Sequence, residues 1–158
     1  MSLMDVVLRD EAFDGAAASD LLTAFASEIG LLYPGWHPGA GPSANPDEFA
    51  PPSGRFVVAY AEGRPVGCGG VKRLDDRCSE IKRLYVAPDA RKSEVARILL
   101  HRLEHLARES GRSAVRLDTG DRQPGALALF RSAGYRHIAD YNRNPFARHW
   151  LEKRLSPN

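Results

Sequence analysis

A short basic turn in the middle of the chain could bind phosphate. The turn reads APDARKS over residues 87–93 and leads directly into a segment with helical spacing. The first N–H groups of a helix have no partner within the helix and carry partial positive charge, so a helix that starts here can bind phosphate through its backbone. Arg91, Lys92 and Arg97 add positive charge nearby. A solvated turn is the alternative interpretation, because many strand–helix units carry basic residues at this point.

Two histidines one helical turn apart, His101 and His105, could together bind a metal ion. They lie among Arg102 and Arg108, however, and this pattern favours a solvated, charged helix face. No group of cysteines and histidines has the spacing of a zinc site. We therefore expect no metal.

The composition is that of an ordinary globular protein. Of 158 residues, 43% are hydrophobic and 27% are charged, which fits a single domain over residues 1–158. The net charge of +2 is spread along the chain, so nucleic-acid binding is not expected. No apolar run is long enough to cross a bilayer and the N-terminus lacks a signal-peptide pattern, so a cytoplasmic location is expected. Cys68 and Cys78 are expected to be reduced thiols there.

Hydrophobic periodicity predicts the elements that position the basic turn. The predicted strands are residues 5–9, 56–61, 65–74, 78–86, 114–119, 135–140 and 146–154, and the predicted helices are residues 16–32, 93–109 and 124–132. Residues 33–54 are rich in proline and glycine and are expected to form a long functional loop. The order β-α-β-β-β-α-β-α-β-β predicts a mixed sheet with helices on its faces, and a parallel crossover around the basic turn.

Several motifs follow one another at a recognisable spacing. A hydrophobic-aromatic-valine run, Leu84-Tyr85-Val86, ends the strand before the turn, Arg91 opens the segment before the helix, and Gly134-Tyr135 follows the last predicted helix. In this order the motifs resemble those of the GCN5-related N-acetyltransferase (GNAT) family, over roughly residues 56–155. The resemblance implies an α/β (α+β) fold with a mixed, mostly antiparallel central sheet and helices on both faces.

The resemblance also implies an activity. It indicates an N-acetyltransferase that moves an acetyl group from acetyl-CoA, its cosubstrate, to a primary amine by direct attack. The acceptor would be a small molecule or a peptide, and a homodimer is possible. The alternative is a catalytically weak or inactive GNAT-fold protein that binds a ligand or partner without turnover.

The same resemblance implies which residues bind the cosubstrate. The backbone of Leu84 and Val86 would bind the pantetheine arm, and backbone groups of residues 92–97 would hold the pyrophosphate. The full implied set is Leu84, Tyr85, Val86, Arg91, Lys92, Ser93, Glu94, Val95, Ala96, Arg97, Gln123 and Phe130.

Two residues depart from the family pattern. Glu94 stands where the family has a glycine, and it brings a negative charge close to the expected pyrophosphate unless it points outward. Phe130 stands where many members have a tyrosine whose hydroxyl protonates the departing thiolate, and phenylalanine has no proton to give.

Two residues are expected to act in catalysis. Glu80 is implied to be the base that takes the proton of the amine, directly or through water. The alternative for Glu80 is a carboxylate on the strand surface, paired with Lys82 or Arg83. Tyr141, near the end of a predicted strand, is the candidate acid.

The acceptor is expected to bind between the first helix, the loop 33–54 and the last hairpin. The candidate lining residues are Tyr33, Trp36, His37 and Tyr141.

Overall fold

The computed structural model describes residues 5–157. The strands are β1 (Val6–Asp10), β2 (Gly54–Ala61), β3 (Arg64–Arg73), β4 (Cys78–Val86), β5 (Ala114–Thr119), β6 (Arg136–His137) and β7 (His149–Arg154). The α-helices are α1 (Ala16–Leu32), α2 (Val95–Glu109) and α3 (Pro124–Ser132). The predicted order of elements is confirmed. No helix in this described part of the chain is long and apolar enough to cross a membrane.

All seven strands form one sheet, in the order β1-β2-β3-β4-β5-β7-β6. Neighbouring strands are antiparallel except β4 and β5, which run parallel and are joined by the crossover through α2. The mixed, mostly antiparallel sheet expected from the sequence is therefore confirmed.

Helices cover both faces of the sheet, as expected. On one face α2 buries Leu99 and Leu103 completely, among the side chains of a core to which α3 adds Phe130. On the other face α1 packs through Leu21 against a second apolar cluster that contains Phe56. Alternating side chains along β2 and β3 reach both cores, because successive residues of a strand point to opposite faces.

Some predicted boundaries are wrong. The strand expected at residues 135–140 is only Arg136–His137, and the strand expected at 146–154 begins at His149. Between them, Asp140 Oδ1 accepts hydrogen bonds from the backbone N–H groups of Asn142 and Arg143. Side-chain bonds of this kind replace the ladder hydrogen bonds that a strand would need.

Two other segments also differ from expectation. The loop 33–54 contains a short 3-10 helix, Pro46–Phe49, which a capping box between Asn45 and Glu48 closes at its start. Helix α2 begins at Val95, two residues later than expected, and the turn before it contains Lys92 with a left-handed backbone of φ 64°.

Candidate active site

The parallel strands β4 and β5 separate halfway along their length. Their pairing runs only from Cys78–Ala114 to Glu80–Arg116, although β4 continues to Val86 and β5 to Thr119. The carboxyl ends of both strands therefore leave an opening within the sheet. Ligands of open α/β sheets bind at the carboxyl ends of neighbouring strands in this way.

A β-bulge lies at the same point of β4. Cys68 pairs with Tyr85 and Gly70 pairs with Lys82, so two residues of β4, Arg83 and Leu84, lie opposite Gly69 alone. Arg83 has a left-handed backbone, with φ 59°. A bulge leaves backbone groups of one strand without a partner on the next, and bulges often occur beside active sites.

A large cleft of about 670 Å³ extends from the opening towards the start of α2. Its walls are the end of β4, the turn before α2, the first residues of α2, helix α3 and one side of α1. Of the twelve residues predicted to bind the cosubstrate, every one except Val95 lines this cleft. Val95 instead is buried in the core, where it starts α2.

In the basic turn the side chain of Arg91 already has partners, whereas the backbone at the start of α2 remains suited to a ligand. Arg91 donates through Nη2 to both carboxylate oxygens of Glu28, over 2.8 and 2.7 Å, and through Nε to the carbonyl oxygen of Val86 at 2.9 Å. The Arg91 guanidinium is therefore already paired. The backbone N–H groups in the first turn of α2 have no acceptor four residues earlier in a helix, so they remain suited to an anion.

Glu94 lines the cleft, where its carboxylate is paired with a cation. Its carboxylate lies 3.5 Å from Nε of Arg97, and both side chains are about half exposed. A half-exposed ion pair interacts weakly, but it sets the Glu94 carboxylate against a cation at the rim of the cleft.

A second, narrower cavity of about 130 Å³ lies on the other side of the opening. It is lined by residues of α1, of the following loop, of the β4 bulge, of the end of β5 and of the segment before β7. Tyr33 and Trp36 are among them, whereas His37 and Tyr141 are not. The two cavities share six lining residues, so they meet at the opening: Phe25, Ile29, Leu84, Gln123, Ala126 and Phe130.

Glu80 is a buried residue rather than a strand-surface carboxylate. Its carboxylate accepts hydrogen bonds from Tyr141 Oη at 2.6 Å and from Asn142 Nδ2 at 3.2 Å. The ammonium groups of Lys72 and Lys82 each lie 3.9 Å away, so the expected proximity to Lys82 is present, together with a second cation. Glu80 does not line the narrow cavity.

Asp118, on β5, does line the narrow cavity. Its Oδ2 accepts hydrogen bonds from Asn142 Nδ2 at 2.6 Å and from Asn144 Nδ2 at 3.2 Å. The side chain of Asn142 is oriented by Trp150, whose Nε1 donates to Oδ1 of Asn142 at 2.9 Å. Asn142 thus links Asp118 at the cavity to Glu80 behind it.

Tyr141 is held behind the cavity with Glu80. Burial, followed by the negative charges of Glu80 and Asp118, raises the pKa of the Tyr141 hydroxyl well above its ordinary value. Its ring faces the guanidinium of Arg116 at 5.4 Å. This hydroxyl keeps its proton at neutral pH and uses it to bind Glu80.

A second tyrosine lines the narrow cavity, and its hydroxyl contacts Gln123, which lines both cavities. Tyr33 Oη donates to Oε1 of Gln123 at 3.1 Å and accepts from the backbone N–H of Arg122 at 3.0 Å. Burial raises the pKa of Tyr33 despite the Arg122 hydrogen bond, so this hydroxyl also stays protonated. Gly120 leaves room for it, since a Cβ there would lie 2.3 Å from Tyr33 Oη.

Sequence reasoning missed Asp118 and Arg83 as lining residues of the narrow cavity. The available signal for Asp118 was its position near the carboxyl end of a strand parallel to β4, where ligand-binding groups collect. No comparable signal existed for Arg83, because a bulge depends on the register of two strands. Burial lowers the pKa of the Arg83 guanidinium, and the nearby Asp118 carboxylate opposes that shift.

The histidines and cysteines considered as metal ligands lie apart in the structure or on its surface. His101 and His105 are both exposed on α2. Among residues 5–157 no group of three or more potential metal ligands comes together. Cys68 and Cys78 are buried free thiols.

Comparison with known protein families gives a clear match. A family model described as the Acetyltransferase (GNAT) family matches residues 21–135. Over 88 residues the chain is 41% identical to the IAA acetyltransferase of Azospirillum brasilense, in an alignment that covers 55% of this chain and 58% of that protein. The chain therefore spans little more than half the length of that relative.

Solved structures share the fold. A Klebsiella pneumoniae protein assigned to the acyl-CoA N-acyltransferases is 26% identical and superposes with a TM-score of 0.78, over 96% of this chain and 98% of that one. A GNAT family acetyltransferase from Elizabethkingia anophelis, crystallised with acetyl-CoA bound, gives a TM-score of 0.69 at 17% identity, over 96% of this chain and 99% of that one. At that identity the second likeness shows the fold alone.

Proposed function

The chain belongs to the acetyltransferase (GNAT) family, and we propose that it transfers an acetyl group from acetyl-CoA to the amine of a small acceptor. The observation that supports this proposal most strongly is the opening between β4 and β5, which joins a large cleft to a narrow cavity. A donor and an acceptor that enter from opposite sides would meet there, beside the β4 bulge. Such positioning is itself a large part of catalysis of a two-substrate reaction.

The residues of the large cleft fit acetyl-CoA. The diphosphate requires N–H donors and positive charge, which the first turn of α2 and the side chains of Lys92 and Arg97 provide. The pantetheine arm requires an elongated, mainly apolar groove, and Leu84, Leu129 and Phe130 supply apolar surface along the way to the opening. Arg91 would join the phosphate site only if Glu28 released it.

Acetyl-CoA supplies the acetyl group as a thioester, so the amine nitrogen forms the new C–N bond while the C–S bond breaks and coenzyme A leaves as a thiolate. The chain's own contribution begins with the bulge. An unpaired backbone N–H at Arg83 or Leu84 is suited to stabilise negative charge that develops on the carbonyl oxygen.

Asp118 is the carboxylate that we assign to the amine. It lines the narrow cavity, and its Oδ1 accepts no side-chain hydrogen bond in the described part of the chain. A carboxylate placed there can hold the incoming ammonium group and then accept its proton. Glu80 would orient Asn142, whose amide also donates to Asp118, and Tyr141 would keep Glu80 in position.

No tyrosine hydroxyl is available at Phe130 to protonate the thiolate. We assign this role to the Tyr33 hydroxyl, which stays protonated and contacts Gln123, a residue that lines both cavities. A thiolate is a stable leaving group, so a modest contribution from this hydroxyl would suffice.

Two measurements test the proposal. Calorimetric titration with acetyl-CoA is expected to show binding, and release of free thiol is expected to depend on both acetyl-CoA and an added amine. Binding without amine-dependent thiol release across a broad amine panel would instead support the inactive, ligand-binding alternative. Absence of any binding would remove the acetyl-transfer proposal altogether.

A further inference from the structure

Arg83 lines the narrow cavity and has no ionic partner among residues 5–157. Its guanidinium lies 5.4 Å from the ring centres of both Phe25 and Trp36, and it donates one hydrogen bond, of 3.3 Å, to the carbonyl oxygen of Pro38. A guanidinium carries five N–H donors. Within residues 5–157 its side chain forms no ion pair and no other hydrogen bond. Most of its donors therefore remain free for a ligand.

The other charges around the cavity are already balanced. Lys82 lies 3.9 Å from Glu80, and Lys72 pairs with Glu48 at 2.8 Å. Arg83 and Asp118 are the charged side chains around this cavity that remain for a ligand in the described part of the chain. Asp118 is the one carboxylate among the described residues that line the cavity. The two groups are close enough for Asp118 to influence the pKa of Arg83, yet they do not form a direct ion pair.

We propose that the acceptor is an α-amino acid with a compact apolar side chain, whose carboxylate binds Arg83 and whose amino group lies at Asp118. This inference rests on the proposed acetyl transfer and names the substrate class of the same site. Part of the remaining wall agrees with it, because Ile29, Trp36 and Phe146 are apolar, beside the polar Thr119, Gln123 and Asn144, and the cavity measures only about 130 Å³.

The surroundings of Arg83 explain the preference for a carboxylate. The Arg83 guanidinium lies within cation–π distance of Phe25 and Trp36, and it still offers the planar fork of N–H donors that a carboxylate matches. An amine without a carboxylate would fill the cavity but leave this partly buried cation unpaired. A site of this kind discriminates strongly against an analogue that lacks the charged group. It discriminates much less against an analogue that differs by one methylene.

The matched pair L-leucine and 3-methylbutylamine tests the inference, because the two molecules differ only by the carboxylate. Wild-type kcat/KM is expected to be roughly 100-fold higher for leucine. Arg83→Gln is expected to lower kcat/KM for leucine by about 10- to 100-fold and to lower the ratio of the leucine value to the 3-methylbutylamine value by about 10-fold or more, because only leucine has a carboxylate to lose. Arg83→Lys should recover part of the leucine activity. Arg102→Gln, at a partly buried arginine in the middle of α2, is the control and should change kcat/KM for neither substrate.

A binding measurement that needs no turnover separates this inference from the proposed function. Calorimetry with N-acetyl-L-leucine, the expected product, should show binding that weakens about 10-fold or more in Arg83→Gln. Equal or better transfer to 3-methylbutylamine, or transfer to dipeptides but not to leucine, would overturn the inference and leave acetyl transfer standing. Binding of N-acetyl-L-leucine that depends on Arg83, without transfer to any amine, would support the carboxylate site and count against acetyl transfer. If N-acetyl-L-leucine does not bind and leucine is not acetylated, the inference is overturned.

Discussion

The guanidinium of Arg91 donates to both carboxylate oxygens of Glu28, at 2.8 and 2.7 Å, and so joins the turn before α2 to helix α1. Both side chains line the large cleft. The pair is about one third to two fifths exposed, which is the range where ion pairs are weak and salt-sensitive. A phosphate that enters the cleft would therefore compete with Glu28 for Arg91.

Glu28→Gln should tighten coenzyme A binding by about two- to fivefold at low salt, because it frees Arg91 from its internal anion. Calorimetric titration at two salt concentrations measures the effect, which should shrink at the higher one. Asp20→Asn, at an exposed carboxylate on the same helix, is the matched control and should leave affinity unchanged. Weaker binding in Glu28→Gln would mean that Glu28 holds Arg91 in a productive position.

Asp118→Asn should lower kcat/KM by about 100-fold or more, because it removes the carboxylate that accepts the proton of the amine. Coenzyme A affinity should stay within about twofold, since Asp118 does not line the large cleft. Asp121→Asn, at a mostly exposed aspartate three residues later, is the control. Initial rates of thiol release and a coenzyme A titration provide both quantities.

Glu80→Gln is expected to lower kcat/KM less than Asp118→Asn does. It should also reduce stability, because Lys72 and Lys82 lose a buried counter-charge. A larger kinetic loss in Glu80→Gln, at unchanged stability, would instead assign the base to Glu80.

Gly120→Ala should destabilise the protein by about 1 to 3 kcal/mol and weaken coenzyme A binding. A Cβ at this position would lie 2.3 Å from Tyr33 Oη, so the tyrosine ring has to move and its bond to Gln123 breaks. Urea unfolding and calorimetry measure the two effects. Gly30→Ala is the matched control: its Cβ would come no closer than 3.8 Å to another residue, and alanine favours the interior of α1. Equal stability of the two variants would contradict the close packing of Tyr33 on Gly120.

Glu152→Gln should change how stability depends on pH. Burial disfavours the charged carboxylate, but hydrogen bonds from Arg116 and Arg77 outweigh burial and hold the pKa of Glu152 below its ordinary value of 4.5. A lowered folded-state pKa stabilises the fold above the unfolded-state pKa, and that stabilisation is lost as the pH falls through the folded-state value.

The Glu152→Gln variant should therefore be about 1 to 3 kcal/mol less stable than wild type at pH 7, with the difference starting to shrink below about pH 5 as the carboxylate of the wild type is protonated. Urea unfolding at several pH values measures this difference. Glu62→Gln, at an exposed turn residue, should show no such closing gap. A difference that stays constant down to pH 3 would rule out the ionised carboxylate as its source.

Much of the fold was predictable because it depends on local spacing. The apolar period of α2 and the alternation along β5 are each contained within one segment, and they set the element order. The strand expected at residues 135–140 failed because Asp140 binds nearby backbone N–H groups, a competition that hydrophobic periodicity does not register.

Residues of the candidate site could be predicted only where they belong to a motif of the family. Residues 91–94 were placed at the cleft from the family resemblance, and they line it. The burial of Glu80 and its link to Asp118 through Asn142 were not predictable, because these residues are separated in the chain and meet only when three segments pack together.

The sequence by itself determined that a basic turn leads into a helix, that strands and helices alternate in this order, and that the chain resembles an acetyl-transferring family, because each of these lies in the spacing of neighbouring residues. Only the tertiary structure decided that β4 and β5 part after Glu80 and that Arg83 and Asp118 line one narrow cavity, where Arg83 has no ionic partner in the described part of the chain. The reason is physical, because these features are contacts between segments far apart in the chain. They are the strand register, the bulge opposite Gly69 and the contact of Arg83 with Phe25 and Trp36, and they stabilise the protein only once those segments are packed.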